Sequence, residues 1–231
     1  MTLIDFDGEY GHQYRKTIRY SVPGHDTLLE ITNAAAASLS PSAARVLVIG
    51  PGPGDELKGL LVSLPDAHFT VLEPSMQMTE GCKDVIKSKD ASERCELLPQ
   101  RLESCHDLEP SSFNTVIANN VLHLMPPDEQ HDLIRLMADY VVPGGYLFVS
   151  SYSEPADTAL QETYLTISRQ RLLQLGMSLD MVEMLMKSRG NGVYSLDRKL
   201  FENTLRLSGF NQPVPLMQGL LISLWLVHKK H

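Results

Sequence analysis

The chain has few cysteines: Cys82, Cys95 and Cys105 are the only ones among 231 residues. Three cannot all pair, and their spacing matches no metal-ligand set, so neither a disulfide scaffold nor a thiolate metal site is expected. Three reduced thiols in a cytoplasmic protein are the plain expectation. No combination of His, Cys and carboxylate elsewhere has usable metal spacing, so no metal is expected. Long apolar runs are missing too; none approaches the roughly 20 residues that span a bilayer. The stretch from Met1 to Glu9 is acidic and has no apolar signal core. Dense Lys/Arg runs are also absent. With 20 basic against 28 acidic residues the formal net charge is −8, which favours a small-molecule acceptor over nucleic acid. Two loose basic groups remain, Arg15, Lys16 and Arg19, and Arg198, Lys199 and Arg206. Repeats, low-complexity tracts and linkers do not occur. At 43% hydrophobic residues, the length suffices for one α/β domain with a sizeable core.

What the chain does have is Val46-Leu47-Val48-Ile49 followed by Gly50-Pro51-Gly52-Pro53-Gly54-Asp55-Glu56. An unbroken apolar run predicts a buried parallel strand, and it empties into a glycine loop of spacing G-x-G-x-G. A second apolar run, Phe69 to Leu72, ends on Glu73, nineteen residues after Gly54. Strand, glycine turn, helix, strand, acid is the order of a nucleoside-binding βαβ unit. Glycines admit a close backbone approach, and the acid is placed to accept hydrogen bonds from two ribose hydroxyls. A dinucleotide fingerprint would read G-x-G-x-x-G. Here the third glycine comes one residue early, and Asp55 and Glu56 at the helix start would repel a pyrophosphate. A cationic, phosphate-free nucleoside fits better.

In these features the chain resembles the class I S-adenosylmethionine-dependent methyltransferases. The resembling segments are Val46 to Gly54, Glu73, Phe113 to His123 and Val142 to Val149, four motifs in family order across about residues 45–150. The resemblance implies a Rossmann-like, doubly wound α/β fold. Its sheet would be seven-stranded and mostly parallel with an antiparallel C-terminal strand, under a helical N-terminal lid and a helical insertion after strand five. It implies S-adenosyl-L-methionine as cofactor, held by Gly50, Gly52, Gly54, Glu73 and Pro74, with adenine contacts around Arg101 and Leu102. Two positions depart from the family. Its usual acid two residues before the first glycine, which commonly reaches the cofactor's methionine end, is Val48 here. Arg101 also stands where an acid usually meets adenine. A narrower resemblance, to the carboxy-S-adenosylmethionine synthase branch, rests on Tyr20 to His25, the insertion, and Leu207 to Phe210. That branch places a tyrosine where His25 stands, and would respond to prephenate.

The pattern along the chain predicts helices over residues 1–44, one with Tyr10, Tyr14 and Ile18 on a face and another from Thr27 through Ala37. Strands are expected near 45–49, 68–72, 95–98, 114–118 and 145–151, then helices over 155–188 broken at Gly176. Ser195 is the expected N-cap of a further helix that stops at Gly209, before a last buried strand over 220–227. The whole of 1–231 is expected to be a single domain: a lid (1–44), a cofactor-binding core (45–152), a helical insertion (153–195), and a C-terminal helix and strand (196–231).

Candidate residues beyond the glycines and Glu73 carry alternatives. Asn119 is either a strand-end cap or a contact to the cofactor's methionine end. Tyr20 and His25 are placed near the cofactor by the resemblance. Tyr10, Tyr14 and Tyr152 are candidates for the acceptor pocket or for ordinary packing, as is Tyr164. His123 is the one candidate base, with structural or substrate contact preferred because its context is apolar. Methyl transfer needs alignment and desolvation more than a conspicuous acid or base, so the catalytic residue is unknown from sequence. Three readings follow: methyl transfer to a small molecule, carboxylated-cofactor synthesis, or cofactor binding without catalysis. A homodimer is possible through the Leu/Met-rich insertion.

Overall fold

The computed structural model describes residues 5–231; the first four residues, part of the acidic end read above, lie outside them. The chain folds as α1 (Glu9–Ser21), α2 (His25–Leu39), β1 (Arg45–Ile49), α3 (Leu57–Ser63), β2 (His68–Leu72), α4 (Met76–Ser88), β3 (Cys95–Leu98), β4 (Phe113–Asn119), α5 (Pro127–Tyr140), β5 (Val141–Tyr152), α6 (Thr158–Gln174), α7 (Leu179–Lys187), α8 (Arg198–Leu207), β6 (Val214–Gly219) and β7 (Ile222–His228). The strands form one sheet in the order β3-β2-β1-β4-β5-β7-β6. β1 to β5 run parallel; β7 pairs antiparallel with both β5 and β6, so that β6 runs in the same direction as β1 to β5.

The apolar runs explain this layout. Val46, Leu47, Val48 and Ile49 are all buried because helices cover both faces of the sheet. Leu47 and Ile49 join a core with Val116, Leu133, Met137, Phe201 and Trp225 on the α5–α8 face. Val46 and Val48 join Leu57, Leu60, Phe69 and Phe148 on the opposite face, with α3 and α4. At the C-terminal end of β1 the chain turns one way to β2 and reaches β4 on the other side. Ligands bind at such a switch point.

Three expectations need correction. β5 begins at Val141, not near 145, and runs through Pro143-Gly144-Gly145; its pairing with β4 shifts register between Phe113 and Thr115, and such an irregularity tolerates a proline without an N–H. The expected list of strands omits β6 at the sheet edge, whereas β7 is the one antiparallel strand, as expected. β6 was hidden by Pro215, which argues against a strand in sequence but is accepted at an edge. The N-cap of α8 is Asp197, whose side chain accepts from the Leu200 N–H. Ser195 instead has its Oγ accepting from the Glu154 N–H at 2.8 Å, which ties the end of β5 to the loop. The break between α6 and α7 falls at Gly176, and α8 stops before Gly209, where each was expected.

Candidate active site

Beyond the ends of β1, β2 and β4 lies a cavity of about 500 Å³, within the size range of small-molecule sites. Its floor is the glycine loop. Gly50 has φ +60 and Gly52 φ +57, and a Cβ on Gly50 would lie 2.8 Å from Val121 Cγ2. Both positions therefore require glycine. The amides of this loop are already committed: Gly50 N–H donates to Leu72 O, Gly52 N–H to Glu73 Oε2, and Gly54 N–H to Pro51 O, while Pro51 and Pro53 have none. A loop with no free N–H cannot cradle a pyrophosphate. The preference for a phosphate-free nucleoside thus has a structural basis. Gly54 does not line the cavity; its α-carbon faces Cys82 and Val85 of α4.

Glu73 stands just past β2, buried, with Oε2 accepting from Gly52 N–H and Oε1 from Ser75 N–H, each at 2.9 Å. Burial pushes its pKa up to about 7 against the pull of those two amides. Each oxygen keeps a second lone pair, and the residue lines the cavity, so a pair of vicinal hydroxyls fits here. Pro74, Arg101 and Leu102 line the same end.

The roof is α1. Tyr14 lies against Gly52, with Cε1 3.3 Å from where a Cβ would stand, and Phe6, Tyr10 and Tyr14 pack edge to face with centroids 5.6 to 6.2 Å apart. Burial raises the Tyr10 hydroxyl to about 12 and the Tyr14 hydroxyl further still. Polar clasps pin this roof to the floor. Arg15 reaches Asp55 at 3.1 Å and the Pro53 carbonyl at 2.9 Å, and Asp7 accepts from Ser75 Oγ at 2.8 Å.

The far wall comes from the insertion: Leu165, Leu172, Leu185, Met186 and Val193, with Tyr20 from α1. Here Tyr152 donates its hydroxyl to Glu154, and Arg189 bonds both Tyr152 Oη (3.0 Å) and Glu154 (2.7 Å). The Glu154 carboxylate and burial together hold the Tyr152 hydroxyl protonated. Arg171 donates to the carbonyls of Tyr20 and Arg19 at the end of α1, and has no carboxylate partner among the described residues. His123 is buried at the cavity edge, and its Nδ1 accepts from Tyr152 N–H at 3.4 Å. Burial lowers its pKa to about 4. A neutral imidazole whose Nδ1 is occupied is a poor proton acceptor at neutral pH and a fair contact for substrate.

Tyr10, Tyr14, Tyr20, Gly50, Gly52, Glu73, Pro74, Arg101, Leu102, His123 and Tyr152 therefore converge on one cavity. His25 and Asn119 line a smaller one that shares Tyr14, Gly50 and Asn120 with it. Tyr164 packs beside Tyr152 in the cluster under α1. Sequence reasoning missed Asn120 and Arg171 as lining residues. It also read Glu56 as a helix-start acid, whereas Glu56 is buried and bonded to Asn119. Among the described residues no group of three His, Cys, Asp or Glu side chains is placed to hold a metal ion. No helix among them is long and apolar enough to cross a membrane.

Comparison with known proteins agrees with this geometry. The family described as "Methyltransferase domain" matches residues 46–145. The carboxy-S-adenosyl-L-methionine synthase of Stutzerimonas stutzeri is 25% identical over 93% of this chain and 88% of its own length. Among solved structures, magnesium protoporphyrin IX methyltransferase from Synechocystis, with bound SAH, aligns at TM-score 0.68 and 14% identity over 97% of this chain and 96% of that one. An O-methyltransferase family protein from Burkholderia thailandensis aligns at TM-score 0.65 and 19% identity; it covers 93% of this chain, which spans only 57% of that protein. At such identities the solved structures speak for the fold.

Proposed function

We propose that this chain, which belongs to the class I S-adenosylmethionine-dependent methyltransferase family, methylates a small-molecule acceptor bound between the glycine loop and the helical insertion. The protein binds S-adenosylmethionine and is a methyltransferase; the proposal concerns the acceptor and the residues. The observation that carries it is the cavity itself. At about 500 Å³, roofed by α1 and walled by α6 and α7, it suits a compact apolar molecule better than a macromolecular surface.

When bound, the cofactor supplies a methyl carbon on a sulfonium, and the acceptor's lone pair displaces the thioether in line. The chain's own part is to position and to exclude water. Glu73 would take the ribose hydroxyls, the backbone near Gln100 to Leu102 the adenine, and the rings of Tyr10 and Tyr14 would cover the sulfonium end. Aromatic faces near such a cation contribute about 1 kcal/mol. Tyr152 and His123, both uncharged at neutral pH, would orient the acceptor through hydrogen bonds. No base is assigned. The whole chain, 1–231, is read as one domain, cytoplasmic in keeping with the free thiols of Cys82, Cys95 and Cys105. A homodimer through the exposed Leu179, Met181 and Met184 of α7 belongs to the same reading and is tested by sedimentation.

The experiment is a screen of small acceptors with radiolabelled cofactor. Transfer to an apolar hydroxyl, amine or carbon acid supports the reading, and transfer only to RNA or protein overturns it. A second reading, synthesis of a carboxylated cofactor, is supported by likeness to the Stutzerimonas synthase across the insertion. Against it, Arg189, which with Lys187 lies near where that branch holds the extra carboxylate with an arginine, is already paired with Glu154, and His25 replaces the expected tyrosine. The mass of any co-purifying nucleoside, with and without prephenate, separates the two.

A further inference from the structure

The smaller cavity, about 20 Å³, has room for one water-sized group. Its chemistry is one-sided. Asn119 Oδ1, Asn120 Oδ1, Asp55 Oδ2 and His25 Nδ1 are buried there without hydrogen-bond partners. The three oxygens are acceptors, and burial keeps the His25 ring neutral, so that its Nδ1 accepts in the tautomer protonated at Nε2. Between them sits Glu56, 3% exposed, whose only hydrogen-bond partner among the described residues is Asn119 Nδ2 at 2.8 Å. Asp55 engages the neighbouring cations: Arg15 at 3.1 Å, Lys58 at 2.6 Å and Arg19 at 3.7 Å. Glu56 therefore has no cationic partner among the described residues. A buried carboxylate ringed by acceptors lacks a donor with positive charge, because a buried charge is tolerated when paired and costly when not.

We infer that this cavity receives the primary ammonium at the amino-acid end of the cofactor, with Glu56 as its counter-ion. The two cavities share Tyr14, Gly50 and Asn120 in their linings, so a molecule whose ribose lies on Glu73 would extend its amino-acid end toward Asn119. The ammonium would bring three donors and one charge to a site with acceptors to spare. Glu56, from the first turn after the glycine loop, would then replace the acid that position 48 lacks. Val48 cannot contribute: it is wholly buried between sheet and helices.

The inference rests on the cofactor assignment, and the test separates the two. S-Adenosylhomocysteine and 5′-methylthioadenosine share adenine, ribose and sulfur, but only the first carries the ammonium. Calorimetric titration of Glu56→Gln is expected to show at least a tenfold loss of affinity for S-adenosylhomocysteine and less than a twofold change for methylthioadenosine. Equal losses for both, or none, overturn the inference. Glu56→Gln is also expected to melt no lower than the wild type at pH 8, because it removes an unpaired buried charge; a lower melting temperature would mark Glu56 as merely structural. Should the variant fail to fold, wild-type protein is titrated with N-acetyl-S-adenosylhomocysteine, which has no ammonium. Affinity within twofold of the parent compound overturns the proposal just as directly. If wild type binds neither S-adenosylhomocysteine nor methylthioadenosine, the cofactor assignment itself fails and the inference falls with it.

Discussion

The two ends of the cavity are built by different means. At the cofactor end, backbone turns at strand tips do most of the shaping: Gly50 and Gly52 after β1, Glu73 after β2, Asn119 and Asn120 after β4. At the acceptor end, side chains from α1, β5, α6, α7 and the loop after them meet across long sequence separations, as when Arg171 caps the carbonyl of Tyr20 or Arg189 pairs with Glu154. Strand tips are held by the sheet ladder, so their geometry follows from a few local motifs. The far wall depends on packing among distant segments, and it can vary without disturbing the sheet. On the proposed reading, one end fixes the cofactor and the other is free to choose the acceptor.

The comparison breaks most sharply at Glu73. Glu73→Ala removes the acceptor for two hydroxyls, each charged hydrogen bond contributing about 1.5–3 kcal/mol. Affinity for S-adenosylhomocysteine is expected to drop by about two orders of magnitude or more, read by calorimetry. The far wall should answer differently. Arg189→Ala frees Glu154 and Tyr152, half-buried groups in a bonded set, and is expected to raise the acceptor KM by about tenfold. Its cofactor Kd should stay within twofold; a larger rise would mean that the two ends are coupled.

pH sharpens the contrast at the cofactor end. Glu73 and Glu56 both have pKa values raised from 4.5 to about 7 by burial. Their folded pKa lies above the unfolded one, so the native state holds extra protons between roughly pH 4.5 and 7. The stability this contributes is full below about 4.5 and is lost as pH rises through 7. The free protein is thus expected to melt lower at pH 8 than at pH 5.5 as far as these groups decide it. Cofactor affinity runs the other way, falling several-fold from pH 7.5 to 6 as the carboxylates protonate. The two trends are read by thermal melts and by calorimetry. The smallest effect is expected at His123. With its pKa near 4, His123→Asn should leave the pH profile of kcat between 6 and 9 without a lost inflection. A missing limb near pH 6.5 would make it the base after all.

Much of the fold was legible because it depends on local pattern. β1, β2 and β3 fall on their expected residues, since a short apolar run between turn signals has few alternatives. β6 was not legible: Pro215 and the exposed Val214 conceal an edge strand that pairs only with β7. The glycines and Glu73 were legible through register. Glu56 was misread because a carboxylate at a helix start has a cheap explanation in the helix dipole. Only the packing of Asn119 against it shows that the side chain turns inward. Arg171 had no signal at all, as its partner lies 151 residues away.

The central claim is that the nucleoside of S-adenosylmethionine sits on the glycine loop with its ribose on Glu73. Calorimetry of S-adenosylhomocysteine against wild type and Glu73→Gln tests it most directly. The account predicts one-to-one binding by the wild type that weakens by about a hundredfold in a variant that still melts cooperatively. Equal affinity in the two proteins would contradict it.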